Sequence, residues 1–449
     1  MNLACNRDLF PGNAGARQSG VSLVELMVAL VIAALLGIGL VQVFGSTRAA
    51  FNSNNALARA QENSRFALQF INEDLRLAAH LGTRNEQGAV PGVAEDPVAN
   101  LLFNHMAAAA PSNGNPTTAP WALRLDVPFE AYNFNGTGIG NTYTLPDPPV
   151  AATAASNWTP TLPSELSVLA TSALAGSDII VVRYLSPDFV TLVNSRARAD
   201  GMAVSSNIPF NPSTGVFYWL TQGSPDFIEE NGIYAFSNAR AISLFQVTSV
   251  TGDPADTERS AITIGGNNTR GWETNRPRGA NLPDGSDGEV ENPADYGSLL
   301  PVHRYEMVVY YVAIGADNVS PSLFRRRLAP DKPNYIGEPE EMVPGVESLQ
   351  VVMGVVNQFP RNADQPLAYM TADMIESDSS WSSDPLVRWR GVVSARVGLL
   401  MRSQQPGGTS QETDVDRDVA GTIVSPASTD RHVRHVYESQ VAFRNRNRG

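Results

Sequence analysis

Cysteine and lysine are almost missing from this chain of 449 residues. Cys5 is the only cysteine and Lys332 the only lysine. A single cysteine excludes any intrachain disulfide, so packing alone must hold the fold. Charged residues make up only 17% of the chain, and 32 basic side chains face 45 acidic ones for a formal net charge of −13. That acidic balance argues against nucleic acid as a direct partner; its main effect is solubility. Histidine is scarce too, with five residues: His80, His105, His303, His432 and His435. None stands in an H-E-x-x-H pattern, and neither a G-x-S-x-G elbow nor a phosphate-cradling glycine loop occurs. His432 and His435 lie three apart, so on a strand they point to opposite faces and one metal ion cannot easily join them. No residue stands out as catalytic, and no cofactor is expected; the chain does not read as an enzyme.

Calcium has a partial pattern. Asp414, Asp416 and Asp418 alternate like the first half of a calcium loop, but Val419 occupies the glycine position and no glutamate closes the loop. The run from Asp284 to Asp295 is acidic without the required spacing. Solvated acidic loops are the expectation for both. Arg444, Arg446 and Arg448 form a small basic end, which reads as a solvated terminus.

One long apolar run carries most of the functional information. Leu26–Val41 contains no polar residue, and extended to Val21–Phe44 it gives about 36 Å of helix, enough to cross a bilayer. Arg7, Asp8 and Arg17 precede it with one net positive charge, and after Glu25 no charge appears until Arg48. The positive side stays cytoplasmic, which places the bulk of the chain outside the inner membrane. Glu25 is the anomaly. A charge buried in hydrocarbon costs several kcal/mol unless it is paired, so an isolated carboxylate at the start of such a helix implies a partner. A secretory signal peptide also has an apolar N-terminal stretch, but a shorter one that ends at a small-residue cleavage site.

Gly20 followed by Val21, Ser22, Leu23, Val24 and Glu25 resembles the class III signal of type IV prepilins. That resemblance implies cleavage by a membrane peptidase between Gly20 and Val21, methylation of the new N-terminus on Val21, and pairing of Glu25 with the terminal amine of an adjacent subunit. The usual first mature residue is Phe, and here it is Val21. Loss of the leader, residues 1–20, takes its one net positive charge away and moves the formal charge from −13 to −14. Asn2–Cys5 resembles a lipoprotein cleavage box, but no apolar segment precedes it.

Beyond the membrane run the helix is expected to continue to Leu81, since no Pro or Gly occurs between Ser46 and Leu81 and Gly82 supplies a stop. Leu57, Ser64, Leu68, Ile71, Leu75 and Ala78 share one face; Phe66, Phe70, Leu77 and Leu81 share roughly the opposite one. Two apolar stripes suggest burial on both sides, either between the subunit's own sheet and neighbouring helices or inside one large domain. Residues 83–176 read as a long irregular insertion with at most short strands, and 251–300 as a second. Strands are expected at 178–184, 216–220, 232–236, 241–250, 305–314, 322–328, 346–356, 387–402 and 433–444, with 305–314 and 322–328 joined as a hairpin through Gly315–Asn318. With no alternation of strands and helices, the fold class is α+β: a long N-terminal helix, residues 21–81, on a mostly antiparallel sheet domain, residues 82–449.

Ala58–Leu68 and Asp74–Ala79 resemble the post-membrane helix of PilW-type minor pilins, and Leu244–Thr248, Tyr310–Val312, Ser322–Arg325, Val343–Glu347 and Val441–Arg446 are similar to later pieces of that family. The family's cysteine after the helix-ending glycine is Thr83 here, and Met353-Gly354 stands where relatives often have Tyr-Gly. The resemblance implies a minor pilin of the type IV pilus that takes part in priming of assembly at the pilus tip and supports motility, adhesion or DNA uptake. Its implied partners are other minor pilins, the major pilin, the prepilin peptidase and methylase, the inner-membrane assembly platform and a large non-pilin tip adhesin. The J-type minor pseudopilin of type II secretion shares the signal, helix and fold, and stays open as the alternative.

Overall fold

The computed structural model describes residues 22–82, 102–104, 106, 119–193, 210–211, 216–220, 227–237, 242–253, 256–263, 299–356, 368–380, 382–404, 415–426 and 431–443. The chain forms two compact units, one ending at Asn54 and one starting at Asn55.

The described part of the first unit is helical, belonging to an α-helix that spans Leu23–Leu77. Leucine, valine, isoleucine and alanine without a proline favour helix here. The apolar run supplies a window of mean hydropathy 2.7 in which no residue is buried, as a segment solvated by lipid requires.

In the second unit the helix buries one stripe, Ala60, Ser64, Ala67, Ile71 and Leu75. Ile71 and Leu75 are fully buried, worth about 1.5–3 kcal/mol each. The opposite stripe is graded: Phe70 and Leu77 are half-buried against the same core, and Phe66 is 46% exposed.

The helix ends at Leu77, four residues before the expected stop at Leu81. Ala79 takes a left-handed φ of 61°, and the His80 N–H bonds the Leu77 carbonyl. Packing overrides propensity at this point. Leu185 donates its N–H to the His80 carbonyl at 2.8 Å, and Leu81 is drawn into a separate apolar cluster.

Among the described residues the main sheet has nine strands. At its centre, Leu299–Ile314 pairs antiparallel with Ile179–Val193 on one edge; its other edge takes Ile233–Ser237 and Pro321–Arg327. Phe129–Phe134 extends the sheet beyond Ile179–Val193, and Leu102–Asn104 closes the far end, parallel to Ile242–Gln246. Side chains alternate across the central strand. Val308, Tyr310 and Val312 face the helix-side core, whereas Met307, Val309 and Tyr311 face the other cluster.

A second, antiparallel sheet runs in the order Ala368–Met370, Val346–Val355, Val392–Arg402, Arg434–Ala442. Its Leu349, Val351, Val397 and Val441 join the core that also holds the helix stripe and the main sheet's helix side. A small third sheet sets Thr142–Thr144 parallel to Thr422–Ser425. Four further strands, including Val216–Leu220, pair among themselves.

Several expectations are corrected by packing. Residues 119–176, within the stretch read as an irregular insertion, cover the second face of the main sheet with Leu123, Leu125, Trp158, Leu162, Leu166 and Leu169. Poor periodicity concealed them because short strands and 3-10 turns carry little pattern. The start of the expected strand 387–402 is instead a helix, Pro385–Arg390, with Pro at its first position and Asp384 capping the Leu386 N–H at 2.9 Å. The expected strand 241–250 divides, since Ile242–Gln246 joins the main sheet while Ser249–Asp253 pairs elsewhere. The hairpin at Gly315–Asn318 forms as expected, with Ile314 opposite Pro321 and Asn318 at φ 58°.

Candidate functional site

The first component is the start of the helix. Glu25 lies in its first turn, exposed, with one carboxylate oxygen accepting the Ser22 N–H at 3.2 Å. This satisfies one of the orphan donors at a helix start and places negative charge at the positive end of the helix dipole. Gly20 and Val21 lie outside the described residues, as do Cys5, the leader charges, His105, Asp284–Asp295, Asp414 and the arginines of the tail. The cleavage and methylation positions are therefore not brought together with Glu25 by any described contact.

The second component is the seat of the helix in the C-terminal unit, which sequence reasoning did not single out. Three polar side chains of the helix reach across to the sheets. Asn63 donates to the Pro344 carbonyl at 3.0 Å, and Asn72 donates to the Ser439 hydroxyl at 2.9 Å. Asp74 accepts from two phenols, Tyr184 at 2.8 Å and Tyr310 at 2.6 Å. Burial and, after it, the Asp74 charge push both phenols far above the usual tyrosine range, so they remain donors at any physiological pH. Asn63, Asn72 and Asp74 follow no helical period, and their partners lie 110 to 367 residues away.

Behind the seat, buried charges are paired. Arg434 holds Glu347 with two bonds of 2.6 and 2.9 Å, and Arg402 approaches the same carboxylate at 3.5 Å. Asp126 lies between Arg124 at 2.6 Å and Arg390 at 2.5 Å. Burial alone would raise the Asp126 carboxyl; the two guanidinium groups outweigh it and hold the group below its ordinary value. Asp178 differs. It accepts from the N–H groups of Phe134 at 2.9 Å and Val351 at 3.0 Å and from the Asn133 amide at 3.0 Å, so it bonds both large sheets at once. No guanidinium is among these partners, and burial pushes the Asp178 carboxyl up to about 7.

Catalytic arrangements do not emerge among the described residues. His80 and His432 bond backbone carbonyls of Leu185 and Ser403. No group of three or more His, Cys, Asp or Glu stands close enough to hold a metal ion among the described residues. Asp416 is used by the Ser425 hydroxyl at 2.6 Å and Asp418 by the Gly421 N–H at 2.8 Å, both within one hairpin.

Comparison with known proteins gives two matches. Residues 15–41 match the model of the prokaryotic N-terminal methylation motif. Residues 309–445 match the model described as type IV pilus-assembly protein W. No curated protein and no solved structure matches the chain. A prepilin-type signal on a long apolar helix, followed by a mostly antiparallel sheet domain, defines a type IV pilus-related pilin. The PilW match lies in the C-terminal region and the methylation-motif match at the N-terminus, so the resemblance read from the sequence holds at both ends of the chain. Three of the helix's partners, Tyr310, Pro344 and Ser439, fall inside the PilW region. The matched part thus supplies three of the four partners of the helix's polar side chains, and Tyr184, outside it, supplies the fourth. A structural, pilin-like protein anchored by that helix and associated with the pilus follows.

Proposed function

We propose that this chain is a minor pilin that helps prime type IV pilus assembly and stands at the pilus tip, supporting motility, adhesion or DNA uptake. The single observation that carries the reading is the continuous helix Leu23–Leu77. Residues 23–41 of it are exposed and apolar apart from the Glu25 carboxylate, and its second half is hydrogen-bonded to the sheets, in part to residues of the PilW-matched region. The leader, residues 1–20, is removed between Gly20 and Val21, and Val21 is then methylated. Before assembly the apolar part, residues 21–44, spans the inner membrane with the N-terminus cytoplasmic and residues 82–449 outside. During assembly the apolar helix moves from bilayer to fibre core, and Glu25 neutralises the terminal amine of a neighbouring pilin, because a carboxylate in an apolar fibre needs a cation.

Partners are the other minor pilins, the major pilin, the prepilin peptidase and the inner-membrane platform, with a large tip adhesin as a further candidate. The size of the outer domain supports a tip position, since a bulky subunit stacks poorly along a fibre. The PilW match favours the pilus over a type II secretion pseudopilin. The test is Gly20→Ala, which leaves an unprocessed precursor. If mass spectrometry of that variant still finds Val21 as the N-terminus, the reading is wrong.

A further inference from the structure

Where the chain leaves the helix, two histidines hold neighbouring carbonyls of one strand. His80 Nδ1 donates to the Leu185 carbonyl at 2.7 Å and His303 Nδ1 donates to the Ser186 carbonyl at 2.8 Å. Because a carbonyl can only accept, each Nδ1 carries a proton. The rings stand edge to face with centroids 6.0 Å apart. His303 is 2% exposed, and its Nε2 has no hydrogen-bond partner.

That nitrogen is sealed by backbone. A Cβ built on Gly82, whose φ is +76°, would lie 2.7 Å from it. His303 also fills an irregularity in the ladder, where the register between Leu299–Ile314 and Ile179–Val193 shifts between His303 and Tyr305. Leu185 returns its N–H to the His80 carbonyl, so the strand and the end of the helix are tied twice.

We infer that His80 and His303 form an acid-sensitive latch, closed when the buried His303 ring is neutral and released when that ring gains a second proton, which fastens the exit of the long helix to the central strands. A proton on His303 Nε2 would point toward Gly82, and no acceptor for it stands among the described residues. The groups around His303 are His80 and Gly82 from the helix exit, the Ser186 carbonyl and Phe189 from the Ile179 strand, and Ala235 and Ser237 from the Ile233 strand. Among these described neighbours only His80 carries an ionisable side chain. Asp188 is exposed, and Arg304 is turned to Glu229 at 3.1 Å. Burial first, and then His80, lowers the His303 pKa from its ordinary 6.5. The unfolded chain therefore takes up the proton more readily, and the latch weakens as pH falls below that value.

Hydrogen exchange of the full chain in detergent micelles, at pH 7 and pH 5 and corrected for intrinsic rates, tests this. Amides in 78–82 and 185–189 should open at least about twofold more readily at pH 5 than at pH 7. His303→Asn keeps a donor near the Nδ1 position but cannot titrate, and should abolish that pH response. Equal opening at both pH values in the wild type, or an unchanged pH response in His303→Asn, overturns the latch. If His303→Asn does not fold, His80→Asn should still shrink the response, and an unaltered response there would refute it.

Discussion

The Tyr310 hydroxyl donates to the Asp74 carboxylate at 2.6 Å, joining the central strand of the main sheet to the helix. Tyr184 makes a matching bond from the adjacent strand at 2.8 Å. The carboxylate therefore sets the rotation of the helix on the sheet, because only one face of a helix can present it. Tyr310→Phe should cost about 1 kcal/mol, a single net hydrogen bond. Asp74→Ala strands the Tyr184 phenol and leaves Tyr310 only the Phe70 carbonyl at 3.2 Å, and should cost about 2–3 kcal/mol by the same reasoning. Thermal unfolding of the full chain in detergent measures both, and equal losses would mean that the carboxylate does not serve both tyrosines.

Glu25 makes only a local bond, to the Ser22 N–H at 3.2 Å. Under the proposed function, Glu25→Ala should be cleaved normally at Gly20 yet yield few pili. Glu25→Gln should behave similarly, because it keeps the hydrogen bond and loses the charge. Counting pili by electron microscopy decides it; wild-type numbers in either variant would remove the pairing role.

Asp178 supplies a pH dependence opposite in sign to the histidine latch. Its folded pKa is raised from 3.8 to about 7, so between those values the folded chain binds the proton that the unfolded chain has released. Its contribution to stability is therefore largest in acid and is lost as pH rises toward 7. Asp178→Asn cannot titrate and also turns an amide donor toward the Val351 N–H or the Phe134 N–H. It should destabilise the fold by about 1–3 kcal/mol, and its difference from the wild type should shrink as pH rises from 4 to 7. Denaturant midpoints across that range test the slope.

Gly82 has a φ of +76° and no room for a side chain, since a Cβ would sit 2.7 Å from both His303 Nε2 and Ser237 Cβ. Gly82→Ala should cost more than about 1 kcal/mol, from the left-handed backbone and the clash together. Thermal melting of the variant checks this, and an unchanged midpoint would mean that the joint relaxes freely.

Local features were legible from the residues alone. The apolar run from Leu26 to Val41, the lone Glu25 and the preceding Gly20 form a pattern readable over a few turns, because lipid solvation dictates composition residue by residue. The hairpin at Gly315–Asn318 and most strands were legible for the same reason, since turn chemistry and apolar alternation are short-range. Harder to read were the helix end at Leu77, the helix at Pro385–Arg390 and the role of 119–176 as cover for the sheet.

By itself, then, the sequence determined that this protein has an N-terminal helix long and apolar enough to cross a membrane, bears a prepilin-type signal and builds a mostly antiparallel sheet. The tertiary structure alone decided where that helix is held. Asn63, Asn72 and Asp74 meet Pro344, Ser439, Tyr184 and Tyr310, and His80 meets Leu185. Those partners are 105 to 367 residues away along the chain. No local period encodes contacts of that range; they exist only once the sheets have paired and a shared core has drawn the helix stripe down onto them.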